Sequence, residues 1–120
     1  MDVKILSTGV ANVSSVVAAF KRLSCTARVI SDLNAVERSD YLVLPGVGSF
    51  RSGMASLTKR GLVKELKDRI DEGRPTLAIC LGLQLLANAS EESPGVHGLG
   101  GISGTVTAFP ETVASPQFGW

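Results

Sequence analysis

Apolar residues recur along the chain in two rhythms. Val3 to Ser7, Ala27 to Ser31, Tyr41 to Leu44 and Thr76 to Ile79 are short apolar or β-branched runs bounded by turn-forming residues, which predicts four strands. Pro45-Gly46 is expected to stop the third of them. After Asn12, a residue suited to capping a helix, Val13, Val16, Val17 and Phe20 repeat at three- and four-residue spacing, with Lys21 and Arg22 in the last turn. That pattern predicts an amphipathic helix. Further helices are predicted over Asp32 to Arg38, Phe50 to Lys59, Leu62 to Glu72 and Leu81 to Ala89. Glu91 to Gly101 carries five glycines or prolines and is expected to be a loop. Ile102 to Phe109 alternates like a further strand, and no clear element follows it.

Short buried strands alternating with helices predict βαβ units: an α/β fold whose parallel sheet carries helices on both faces. Ligands of such sheets bind beyond the carboxyl ends of the strands. The informative places are therefore the turns Thr8–Asn12, Pro45–Phe50 and Cys80–Gly82.

Composition narrows the function. The 120 residues suit one domain, expected over residues 1–120, and at 44% hydrophobic they can bury a core. Twelve basic against 11 acidic residues leave a net charge of +1, too little for a nucleic-acid partner held through phosphates. No apolar run reaches membrane-spanning length, so no membrane is expected. Two cysteines make no disulfide framework, and Val3-Lys4-Ile5-Leu6 is too short for the core of a secretory signal. A reducing, cytoplasmic setting is the simplest expectation.

Cys80 stands where an apolar strand runs straight into a helix, with Gly82 relieving crowding two residues later. This is the layout of a nucleophile elbow, in which the side chain projects above the sheet. The helix N-terminus favours an anionic nucleophile, and the Leu81 amide is placed to bind an oxyanion. A cysteine buried at the end of a core strand fits the spacing equally well. The glycines flanking Val47 allow unusual backbone angles, so an amide there is a candidate second oxyanion donor; an ordinary glycine-rich loop is the alternative. The Thr8–Asn12 turn could cradle a phosphate, as in flavodoxin-like electron carriers, but a plain capped turn fits better, since no aromatic ring flanks it. Cys25 is read as packing, and His97, the only histidine, as a solvated loop residue. Neither metal-site spacing nor a cofactor motif is present; no cofactor is expected.

Ala78-Ile79-Cys80-Leu81-Gly82-Leu83-Gln84-Leu85-Leu86 resembles the nucleophile segment of class I, triad-type glutamine amidotransferases. Within that class the chain is most similar to the glutaminase subunits of imidazole glycerol phosphate synthases, from histidine biosynthesis. Leu83, the oxyanion-strand-like Leu44 to Phe50, the segment Ser90 to Leu99 and Gln117-Phe118-Gly119-Trp120 carry the narrower likeness.

The resemblance implies a flavodoxin-like, Rossmann-like sheet and hydrolysis of L-glutamine. Cys80 would be the nucleophile, with Leu81 and Val47 as oxyanion donors. Gly46, Gly48, Gln84 and Glu92 would hold the substrate. Asn12 would face a (β/α)₈-barrel cyclase, the heterodimer partner that takes the ammonia and makes imidazole glycerol phosphate and AICAR, joining hydrolase to lyase chemistry. Ala11 departs from the family, which usually has glycine before the asparagine. The family's base is a histidine in a downstream His-Pro-Glu segment, and the 120 residues hold none. The resemblance therefore implies a domain without its C-terminal part, inactive alone. An amidotransferase serving another acceptor and a non-catalytic cyclase-docking domain are the competing readings.

Overall fold

A computed structural model of the chain describes residues 1–9 and 12–116; Ala11 and the Gln117–Trp120 motif lie outside the described residues. The elements follow in the order β1 (Asp2–Leu6), α1 (Val13–Arg22), β2 (Thr26–Ile30), α2 (Leu33–Glu37), β3 (Tyr41–Gly46), α3 (Phe50–Lys59), α4 (Val63–Asp71), β4 (Thr76–Cys80), α5 (Leu81–Leu85), β5 (Ala87–Ser90) and β6 (Ile102–Val106). The main sheet is wholly parallel, in the order β2-β1-β3-β4.

The expected α/β layering holds. Val3, Ile5 and Val43 form one face of the sheet and pack against Val13, Val16, Val17 and Phe20 of α1. Leu6, Leu42 and Leu44 form the other face, with Val36, Phe50, Leu57, Leu66 and Leu85 from α2 to α5. Odd and even positions of the strands thus feed different cores, which is why these strands read as unbroken apolar runs.

Three expectations need correction. Pro45-Gly46 does not stop β3; the strand runs through both residues. The pairing of β1 with β3 ends at Val43, so Pro45 sits past it with only β4 as neighbour, and a missing N–H is tolerated there. The helix expected over Leu81 to Ala89 ends at Leu85, and Ala87–Ser90 becomes a strand. The Gly98 and Gly100 amides take the Asn88 and Ala87 carbonyls, and Asn88 Oδ1 accepts from the Gly104 amide at 2.8 Å. Finally, the strand expected over Ile102 to Phe109 is shorter than that. Only Ile102–Val106 is strand, and it pairs with β5 in a separate two-stranded parallel sheet.

Candidate active site

The carboxyl ends of β3 and β4 meet in register, with Gly46 the direct partner of Cys80. Cys80 has φ 56° and ψ −122°, a conformation that side chains rarely adopt. It leaves the strand at this angle and caps α5, and the residue is exposed. Such strain persists only where the surroundings over-determine it. Here they do: a Cβ on Gly82 would lie 1.9 Å from the Leu44 carbonyl oxygen, so α5 can follow the turn only because residue 82 has no side chain. A Cβ on Gly46 would lie 3.0 Å from the Gly82 nitrogen and from Leu81 Cβ. Strand β3 and the start of α5 are pressed together at the thiol.

As first residue of α5, Leu81 has an amide with no acceptor inside the helix. Across the junction the chain leaves β3 through exposed Val47 and through Gly48, whose φ is +100°. Ser49 then caps α3, its hydroxyl accepting from the Ser52 amide at 3.1 Å. The turn that the sequence pairs with Cys80 is therefore beside it.

Gln84 lies one helical turn beyond Cys80 on α5. Gln84 and Glu92 line one cavity of about 400 Å³, together with Glu91, Val106 and Ala108; Cys80, Gly46 and Val47 are not among its lining residues. Glu91 holds one wall, accepting from the Ala108 amide at 3.1 Å. Glu92 Oε2 accepts from the Phe50 amide at 3.2 Å, and its other oxygen has no hydrogen-bond partner among the described residues. Leu83 is half exposed and lines a neighbouring cavity with Ala87 and Ile102.

Other candidates lie elsewhere. His97 is exposed and lines a cleft with Arg51, Met54 and Lys59 of α3, a different cleft from the one holding Gln84 and Glu92. Cys25 packs against the α1 side of the sheet, its Sγ 3.6 Å from the Leu23 carbonyl oxygen. Asn12 is exposed and caps α1, Oδ1 accepting from the Ser15 amide at 3.4 Å. Of the Thr8–Asn12 turn, the central residues 10 and 11 lie outside the described residues. Among the described residues no cluster of His, Cys, Asp and Glu has metal-site spacing.

Sequence reasoning missed the clasp between α3 and the loop after β5. Besides the Glu92 contact, the Arg51 amide donates to Ser93 Oγ at 3.1 Å, and Arg51 Nη2 to the Pro94 carbonyl oxygen at 3.2 Å. No local signal marks these contacts, because their partners are more than 40 residues apart.

Residues 17–114 match the family described as the CobB/CobQ-like glutamine amidotransferase domain. Among curated proteins, the imidazole glycerol phosphate synthase subunit HisH of Methanothermobacter thermautotrophicus is 46% identical over 118 residues, 98% of this chain and 59% of its own length. Its namesake from Methanopyrus kandleri is 42% identical over 120 residues, 100% of this chain and 60% of its own length. The chain thus spans about three fifths of these relatives. A solved structure titled as a glutamine amidotransferase superposes with a TM-score of 0.70 at 23% identity, over 81% of this chain and 51% of that one. At that identity the likeness speaks for the fold.

Proposed function

The chain belongs to the glutamine amidotransferase family, and on that premise we propose that it forms the glutaminase part of an imidazole glycerol phosphate synthase. The observation that carries this reading is the strained, exposed Cys80 with Gly46 directly beside it. The cavity shared by Gln84 and Glu92 supports it further.

The Cys80 thiolate attacks the side-chain carboxamide carbon of L-glutamine. The carbonyl π electrons move to oxygen, and the oxyanion is held by the Leu81 amide and, after a peptide rotation, the Val47 amide. Gly46 and Gly48 give that strand its room to turn. The free oxygen of Glu92 receives the substrate's ammonium group, and Gln84 lies across the cavity to bind its polar end. Collapse of the intermediate breaks the C–N bond as the leaving nitrogen takes a proton from water, giving ammonia and hydroxide. The hydroxide then attacks the glutamyl thioester, breaking its C–S bond to give glutamate and the free thiol. The ammonia passes to a (β/α)₈-barrel cyclase, docked in a cytoplasmic heterodimer on the Asn12 side, whose lyase chemistry yields imidazole glycerol phosphate and AICAR. No cofactor is needed.

One function of the triad has no candidate in these 120 residues. The only histidine, His97, lies on the α3 cleft, so the chain by itself should turn over glutamine only very slowly. Grafting this chain in place of the matching 118 residues of the Methanothermobacter relative, and supplying that relative's partner subunit, tests the assignment. Glutamate formation should fall at least ~10³-fold on Cys80→Ala. A Cys80→Ala chimaera as active as its parent would overturn it.

A further inference from the structure

The first turn of α3 is held from outside the helix. The leading amides of a helix have no acceptor within it. At α3 the Ser52 amide is taken by Ser49, the residue that caps the helix. The two before it are taken by a loop 42 residues further along the chain: Phe50 N–H by Glu92, and Arg51 N–H by Ser93. Ser93 is only 3% exposed, and its own amide is fixed to the Ser90 carbonyl at 3.1 Å. Phe50 is fully buried in the core. The clasp therefore joins two rigid supports, the core under α3 and the end of β5.

Both ends of the clasp carry residues of the proposed reaction. Val47 and Gly48 stand immediately before the Ser49 cap, and Glu92 stands immediately before Ser93. The carboxylate at the α3 N-terminus is also well placed for the helix dipole, which helps keep the joint closed. Gly48, at φ +100°, is the flexible point in an otherwise pinned stretch. The distance between the substrate's ammonium site and the rotating oxyanion peptide is thus set by how firmly α3 is tied to residues 92 and 93.

We propose that Ser93 is a positioning residue for glutamine hydrolysis: its hydroxyl, by holding the Arg51 amide, fixes the oxyanion peptide at Val47–Gly48 relative to the Glu92 carboxylate. The inference rests on the glutaminase reading above and adds to it a residue that touches neither substrate nor thiol.

The test uses the chimaera described above, with its partner subunit, and two electrophiles that alkylate Cys80. One, 6-diazo-5-oxo-L-norleucine, must occupy the glutamine site; the other, iodoacetamide, need not. With Ser93→Ala, the saturating rate of Cys80 labelling by the glutamine analogue should fall about fivefold, the order expected for one lost hydrogen bond. The iodoacetamide rate should stay unchanged, and Ser93→Thr, which keeps the hydroxyl, should restore the analogue rate. An unchanged analogue rate in a folded Ser93→Ala chain overturns the inference and leaves the glutaminase reading intact. So does an equal loss with both reagents, which would mark Ser93 as structural only. If the chimaera without the Ser93 substitution shows no saturable labelling by the analogue, the glutaminase reading itself fails and the inference fails with it. Should Ser93→Ala not fold, Ser93→Gly decides by the same two rates.

Discussion

Cys80 is held in a backbone conformation that costs about 1–3 kcal/mol for a residue with a side chain. The thiol is exposed, so its removal forfeits little packing. Cys80→Gly should therefore stabilise the chain by about 1 kcal/mol in urea denaturation, because glycine adopts φ 56° freely. Cys80→Ala keeps the strain and should show no such gain. If glycine gives none either, the elbow is not strained. The partner of this strain is Gly82. A methyl group there meets a backbone carbonyl at 1.9 Å, and a carbonyl of β3 has nowhere to go. Gly82→Ala should cost at least about 3 kcal/mol, measured as a shift in the urea midpoint. A change under 1 kcal/mol would show that α5 can leave β4 by another path.

At the scale of elements, the helices and strands were largely legible because most of them bury one stripe or one face. Asn12, Asp32 and Ser49 cap α1, α2 and α3, and each cap acts through its own next turn. What the sequence hid is what partners distant in the chain decide. Ala87-Asn88-Ala89-Ser90 continues a helical pattern, yet glycines 98 and 100 claim its carbonyls and turn it into strand. Cys80 and Gly82 suggested the elbow but fitted a buried strand-end cysteine equally well, and its exposure and positive φ decide between them; the Ser93 clasp left no local trace. Arg69 was hidden for the same reason. It is fully buried, and burial lowers its pKa, with the nearby Arg74 charge adding to the effect. Its guanidinium donates to Thr76 Oγ1, to Ser39 O and Oγ, to Asp40 O and to Pro75 O, so all its donors are used. This one side chain ties α4 to the starts of β3 and β4. Arg69→Leu should cost about 3 kcal/mol or more by urea denaturation. A loss below 1 kcal/mol would mean that neighbouring groups or water satisfy those oxygens.

The whole molecule has one weakly defended flank. Strand β4 is at the edge of the main sheet, and its residues Thr76 to Cys80 carry no charge. Leu77 and Ile79 are 50% and 36% exposed and share a shallow apolar cavity of about 290 Å³ with Val16 and Phe20 of α1 and with Leu23 just after it. An unpaired apolar edge pairs readily with another chain. The 120-residue chain should therefore self-associate as its concentration rises, and Leu77→Lys should shift sedimentation towards monomer without lowering stability. A wild-type chain that stays monomeric at high concentration contradicts this. That flank shares no lining residue with the cavity of Gln84 and Glu92.

The central claim is that the Cys80 sulfur opens onto a site shaped for L-glutamine. Mass spectrometry of the chimaera, after treatment with 6-diazo-5-oxo-L-norleucine with and without competing amino acid, tests it most directly. A single adduct on Cys80 should form, suppressed by L-glutamine and not by D-glutamine. Equal labelling of Cys25, or a Cys80 adduct that L-glutamine leaves undiminished, would contradict it.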